Sequence, residues 1–307
     1  MQMAEALELE GLRGTMRGRE PMARHVSWRA GGAADRCYAP ADLDDLAAFL
    51  RRVPAGEPLL FVGLGSNLLV RDAGWRGTAV LMHGAARRPR LLAGRVYAEA
   101  GVAAPKVARF AALHDLARAE FLAGVPGTVG GALAMNAGCY GGETWEIIEK
   151  ALTIDRSGTL RERGRAEFEI GYRSCALRSG GRLGEDEWFA AAWFRLPPGE
   201  GGAARDKIRR LLARRIASQP LALPNAGSVF RNPQGDHAAR LIESCGLKGL
   251  ERGGARVSEK HANFIVNPAG AARAADIEWL IATVRETVRA RTGVDLIPEV
   301  RIVGEAA

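Results

Sequence analysis

Residues 121–143 constrain this chain more than any other stretch. They set Gly124, Gly127, Gly130, Gly131, Gly138, Gly141 and Gly142 among residues that are otherwise almost wholly apolar, with Glu143 the one formal charge after Phe121. A flexible linker would be rich in Ser and charge. An ordinary buried helix would not accept Gly at this density, because each costs about 1 kcal/mol relative to Ala. Without a Cβ the backbone can take positive φ and approach a ligand closely, and successive N–H groups form a concave anion site. The segment therefore reads as a cradle for a large phosphate-bearing cofactor.

The same logic recurs at Gly63-Leu64-Gly65-Ser66-Asn67-Leu68, directly after the apolar run 59–62. A strand that enters this loop and resumes as Leu68-Leu69-Val70 is a strand, tight loop, strand unit, whose loop offers backbone N–H groups, a hydroxyl and an amide. A P-loop would need Lys followed by Ser or Thr after its second Gly. A dinucleotide fingerprint would need Gly where Leu68 stands, followed by a helix. Neither is present. Each loop alone is equally a tight packing turn; together they favour a cofactor.

At 307 residues the chain is long enough for two or three domains. The net charge of +8 suits acidic ligands, yet the arginines are interspersed with Asp and Glu, so no nucleic-acid partner is expected. Cys37, Cys139, Cys175 and Cys245 lie far apart, without a Cys-x-x-Cys or paired histidines, and suggest reduced thiols and no metal site. No leader-like apolar run opens the chain, and the longest apolar run, 188–194, is far short of a membrane span. The expectation is a cytoplasmic protein with no membrane partner, acting as a monomer.

In chain order, residues 1–22 read as a poorly ordered lead-in. A strand follows at 36–39, then a helix capped by Asp42 with apolar Leu43, Leu46, Ala47 and Leu50. Strands at 78–82 and 95–100 precede a helix over 105–116; after the cradle come strands at 147–155, 168–172 and 188–196. The fold class is α+β with much antiparallel pairing. Pro197-Pro198-Gly199-Glu200-Gly201-Gly202 reads as a domain boundary, since such a run continues neither strand nor helix. Beyond it the pattern gives a basic helix over 203–218, a short helix after Asp236 ended by Gly246, a strand at 263–267, a long helix closed by Gly293, and a last strand that begins at Glu299.

Three polar positions invite a chemical reading: Arg173, Ser228 in a Gly-Ser turn, and Glu299. Singly, each is more readily a surface arginine, a turn hydroxyl or an edge charge. The chain is nevertheless similar, from near residue 20 to its end, to the UDP-N-acetylenolpyruvoylglucosamine reductase family. The matching blocks are 27–33, 63–70, 124–143, Gly171-Tyr172-Arg173, 225–233, 261–267 and 298–304.

The resemblance implies two FAD-binding subdomains of the p-cresol methylhydroxylase type, over 1–80 and 81–200, and a smaller α+β substrate domain over 203–307. The final strand, 299–303, is able to return to the FAD-binding part. It implies non-covalent FAD, NADPH as co-substrate, and reduction of the enolpyruvyl ether of a UDP-sugar to UDP-N-acetylmuramate. Carried over, Arg173 and Glu299 polarise the enolpyruvyl group and Ser228 donates a proton. FAD contacts are expected at Gly63, Gly65, Ser66, Asn67 and Leu68 in one loop. In the cradle they are expected at Gly124, Pro126, Gly127, Thr128, Gly130, Gly131, Asn136, Ala137, Gly138 and Gly141. Substrate contacts are expected at Tyr172, Arg231, Asn232 and His261.

Arg231 stands where the family usually has Lys, and His261 where some members have Gln. Ser174 and Cys175 follow Arg173 where Ser is often second after the Arg. The short interval between Tyr172 and Trp188 matches the subclass that lacks a substrate-covering loop. The rival readings are another FAD-dependent oxidase or dehydrogenase of the same flavin fold, and a non-enzymatic nucleotide-binding regulator.

Overall fold

The helix Leu43–Leu50 (α1) forms where its cap demands. Asp42 Oδ1 accepts from Asp45 N at 2.8 Å, and Leu46, Phe49 and Leu50 turn inward. Asp45 is itself buried, accepting from Tyr38 Oη, Ala41 N and Arg13 N. In this computed structural model, which describes residues 10–83 and 88–306, α1 belongs to the first of two compact units. That unit holds the residues up to Gly18, Arg36–Gly63 and Gly77–Ala204; the second holds Arg19–Asp35, Leu64–Arg76 and the residues from Arg205 on. The chain changes unit within the strands Thr15–Pro21, Ala33–Ala39 and Trp75–Leu81. The architecture is α+β.

In the first unit Leu59–Val62 runs parallel to Trp75–Leu81, with Leu59 opposite Thr78. A five-stranded antiparallel sheet follows in the order Leu160–Gly164, Ile148–Asp155, Glu187–Phe194, Arg95–Glu99, Arg90–Leu92. Its central strand, Glu187–Phe194, is buried at every position but Trp193. The helix Ala104–Leu113 (α2) carries Pro105 in its first turn, as expected, and ends three residues before the expected 116.

In the second unit one apolar core gathers Trp28, Leu69, Phe230, Ile242, Leu280 and Val284 from distant stretches of chain. The last strand, Arg301–Val303, pairs in parallel with Leu68–Val70. Gly293 closes the long helix Ala274–Thr292 in the left-handed conformation at φ 75°.

Four expectations are corrected. The glycine cradle is not free of helix: Val129–Ala134 (α3) lies inside it, with Gly130 and Gly131 in its first turn. The helix expected over 203–218 starts two residues earlier, as Gly201–Ser218 (α4), and the change of unit falls just inside it, after Ala204. Glycine is tolerated at the first positions of a helix, where the N–H groups have no intrahelical partner to lose. Thr15–Pro21 is a strand where a lead-in was expected, anchored by buried Glu20 bonded to His25 Nε2 at 2.9 Å; residues 1–9 lie outside the described residues. The final strand starts at Arg301, two residues after Glu299, whose N–H is turned instead to Val229 O at 2.7 Å.

Candidate active site

In the first unit the strands Phe168–Gly171 and Ser174–Leu177 form a hairpin in which Gly171 faces Ser174, leaving Tyr172 and Arg173 as its turn. Arg173 stands at φ 53°, in the left-handed region that a non-glycine residue occupies only when its surroundings enforce it. Its Nη2 donates to Gly138 O at 3.0 Å, and its guanidinium lies 5.2 Å from the centroid of the exposed Tyr172 ring. Asn136 completes the fixture. It is buried, at φ 43°, and its Nδ2 donates to Glu143 Oε2 at 2.7 Å and to Gly171 O at 3.1 Å. Its Oδ1 accepts from Trp145 N at 3.1 Å. The base of the hairpin packs on aromatic rings, Phe168 lying 4.7 Å from Trp145 and 5.7 Å from Phe189.

The cradle glycines are of two kinds. A Cβ on Gly130 would lie 2.9 Å from Ala100 Cβ, and one on Gly138 2.4 Å from Gly142 O, so these are bare because the protein packs on them. The N–H groups of Val129 and Gly130 are likewise taken, by Val102 O and Ala100 O. A Cβ on Gly131 would instead meet nothing nearer than Thr128 Oγ1 at 3.9 Å, and the residue is exposed. Ala there would favour the helix by about 1 kcal/mol, and no neighbour among the described residues requires Gly131 to be bare. Gly63 shares Thr128 as its neighbour, at 2.4 Å from a notional Cβ, so the first loop and the cradle meet at Thr128. This arrangement fits a phosphate-bearing cofactor such as FAD, with Gly124, Pro126, Gly127, Ala137 and Gly141 on the same stretch.

The second unit holds the rest of the first loop. Gly65 is at φ 60°, where a Cβ would lie 2.1 Å from His25 O, so only glycine fits. Beyond Ser66, Asn67 Nδ2 donates to Glu299 O at 3.0 Å, and Leu68 opens the strand that pairs with Arg301. Ser228 follows an Asx turn, Gly227 N to Asn225 Oδ1 at 2.9 Å. The segment after it is laced on both sides. Val229 N bonds Asn263 O, Phe230 N bonds Asn263 Oδ1, and Asn263 Nδ2 returns to Phe230 O at 2.8 Å. On the other side Glu299 N bonds Val229 O and Arg231 N bonds Ile297 O. Ser228, Asn67 and Glu299 are thus fixed by one frame, and Asn263 ties it to the segment that carries His261.

Asn232 Oδ1 accepts from Ala238 N at 3.1 Å, at the start of the helix Ala238–Ser244 (α5). Arg231 Nε and His261 Nδ1 are buried without a hydrogen-bond partner among the described residues. Burial lowers the His261 pKa, with nearby Lys248 acting in the same direction. Two bracing residues escape the sequence reading as site residues, Asn263 and Glu143. A signal for Asn263 exists: a polar residue inside the run Ala262-Asn263-Phe264-Ile265-Val266 must find partners if buried.

Residues 34–164 match an FAD-binding domain, and residues 219–303 match the C-terminal domain of UDP-N-acetylenolpyruvoylglucosamine reductase. Cradle, loop and domain match together define an FAD-dependent oxidoreductase. The reductase of Nitrosospira multiformis is 56% identical over all of this chain and 94% of its own length, and that of Thiobacillus denitrificans 58% identical over 96% and 94%. The crystal structure of the Thermus caldophilus reductase superposes with a TM-score of 0.78 at 28% identity, covering 94% of this chain and 98% of that one. The chain belongs to the UDP-N-acetylenolpyruvoylglucosamine reductase family.

Proposed function

We propose that this protein uses NADPH and FAD to reduce UDP-N-acetyl-3-O-(1-carboxyvinyl)-glucosamine to UDP-N-acetylmuramate, a step of peptidoglycan precursor synthesis. The observation that carries the reading is the frame of the second unit, in which Glu299 N bonds Val229 O at 2.7 Å and holds a hydroxyl and a carboxyl on adjoining segments. When bound, FAD supplies to the terminal methylene carbon the hydride that NADPH provides. Negative charge then builds on the neighbouring carbon and its carboxylate. Arg173 holds that charge, and Glu299, when its carboxyl carries a proton, donates a hydrogen bond to it. Ser228 Oγ gives its proton to the neighbouring carbon, so that one hydride and one proton saturate the double bond.

Gly63, Gly65, Ser66, Asn67 and Leu68, with Thr128, Gly131 and the cradle around them, would hold the FAD. Tyr172, Arg231, Asn232 and His261 contact the UDP-sugar. Residues 1–80 and 81–200 serve the cofactor and 203–307 the substrate. The protein acts in the cytoplasm, as a monomer; among the described residues no helix is long and apolar enough to cross a membrane.

The test is an absorbance trace of the purified yellow protein. NADPH should bleach the flavin, and the enolpyruvyl UDP-sugar should restore the colour while forming UDP-N-acetylmuramate. Bleaching that the UDP-sugar does not reverse would favour a different FAD-dependent dehydrogenase of the same fold.

A further inference from the structure

Arg173 occupies an unfavourable backbone conformation, yet the hairpin that carries it is only four residues long on each side. Something outside the hairpin must hold its tip. The rings of Trp145 and Phe189 grip Phe168 at the base, at the far end from the turn. At the tip the described hydrogen bonds come from the stretch 136–138: Asn136 Nδ2 to Gly171 O at 3.1 Å, and Gly138 O receiving Arg173 Nη2 at 3.0 Å. Asn136 is buried, and its amide is fully engaged by Glu143, Gly171 and Trp145 N. A side chain so committed has no donor left for a cofactor phosphate.

We infer that Asn136 is a positioning residue for Arg173: its amide, oriented by Glu143, clamps the carbonyl of Gly171 and holds the turn in the conformation that presents the guanidinium. The inference rests on the reading of Arg173 as the group that holds developing charge. Asn136 then contributes to turnover through the hairpin and not through contact with FAD or substrate. Its Nδ2–Glu143 bond sets the amide's orientation, so that N–H and not C=O faces Gly171.

The chemistry of the clamp supplies its own test. Asn136→Asp alone would set a buried carboxylate against the half-buried Glu143 carboxylate and put the fold of the cradle at risk. In the double variant Asn136→Asp, Glu143→Gln the pair is restored with reversed polarity, because the amide introduced at position 143 donates to the carboxylate introduced at position 136. Gly171 O, however, has lost its donor.

The FAD-loaded double variant should keep its fold and FAD affinity. Its kcat should fall by about 10²-fold with KM little changed, the pattern of a group misplaced for the transition state. Hydrogen exchange should quicken at residues 171–174 and stay unchanged in Ile148–Asp155. Arg173→Ala provides the control. If it leaves kcat intact, the reading of Arg173 falls. If it slows turnover while the double variant turns over normally, only the role of Asn136 falls. The triple variant should be no slower than Arg173→Ala, since both changes remove the same interaction; multiplied losses, or a hairpin tip with unchanged exchange, would overturn the inference.

Discussion

The two units hold their candidate catalytic groups by different means. In the first, Arg173 is fixed by side chains: its own bond to Gly138 O, and the Asn136 amide on Gly171 O behind a strained turn. In the second, Ser228 and Glu299 hang from a main-chain frame, with Val229 N on Asn263 O at 3.0 Å and Glu299 N on Val229 O at 2.7 Å. A charge that must meet developing charge needs its long side chain pinned, because a free arginine loses on the order of 2 kcal/mol of rotamer freedom when ordered. A serine has little to pin, and placing its Cα places its hydroxyl. The first arrangement is therefore vulnerable to changes in neighbouring side chains. The second tolerates replacement of the acting residue itself.

The largest expected effect separates function from frame. Ser228→Ala should leave NADPH-dependent bleaching near normal and slow reoxidation by the enolpyruvyl UDP-sugar by roughly 10²–10⁴-fold, as for removal of a positioned acid. The fold should lose about 1 kcal/mol or less, since the frame does not use the hydroxyl. Rapid-mixing absorbance and denaturant unfolding read the two quantities; unimpaired reoxidation would remove Ser228 from the chemistry.

Asn263 reverses the pattern. Asn263→Ala strips Phe230 N and O of their side-chain partners, both buried, for a loss of about 2–4 kcal/mol in unfolding free energy. Asn263→Asp keeps the acceptor for Phe230 N but turns a buried carboxylate oxygen toward Phe230 O, and should cost no less. A denaturant midpoint unchanged in Asn263→Ala would mean that the frame is not what holds Ser228.

Acid should tell the units apart. Burial alone would raise the pKa of Glu187, but Arg163, donating from Nε at 2.6 Å and Nη2 at 2.9 Å, holds it below the usual range. Asp45 is likewise lowered against its burial by bonds from Tyr38, Arg13 and Ala41. A depressed carboxylate contributes stability above its unfolded pKa, about 4, and loses it as pH falls through the lower folded value. Hydrogen exchange between pH 5 and pH 3 should therefore show the first unit loosening before the core of the second, and Glu187→Gln should weaken that dependence. Simultaneous loosening, unaffected by the substitution, would erase the contrast.

The smallest effect concerns Cys175, in the hairpin. Burial pushes its thiol up to about 12, so little thiolate forms at pH 8. Iodoacetamide should modify it far more slowly than it modifies the unfolded chain. Rapid labelling of the folded protein would show that the hairpin opens readily and that its clamps are weaker than their geometry implies.

Local chemistry makes much of this molecule legible in the sequence. Asp42 before an apolar repeat marks α1, Gly293 marks the end of the long helix, and two glycine loops after apolar runs carry the cofactor reading. These signals depend on a few adjacent residues and on steric rules that hold in any context. The class of each cradle glycine is not legible, because whether a Cβ at Gly130 finds a neighbour depends on Ala100, far back in the chain, and nothing in sequence separates Gly130 from Gly131. Nor is the partner of Glu299. Read as the first residue of a strand, it belongs to a loop whose N–H turns to Val229, a choice made by the register against the Ser228 segment. Asn136 shows the same division most clearly: its place in a glycine-rich stretch suggests a cofactor contact, whereas packing directs its amide at Glu143 and Gly171. A buried amide bonds whatever the folded chain brings within about 3 Å, and that is a property of the tertiary structure and not of neighbours in sequence.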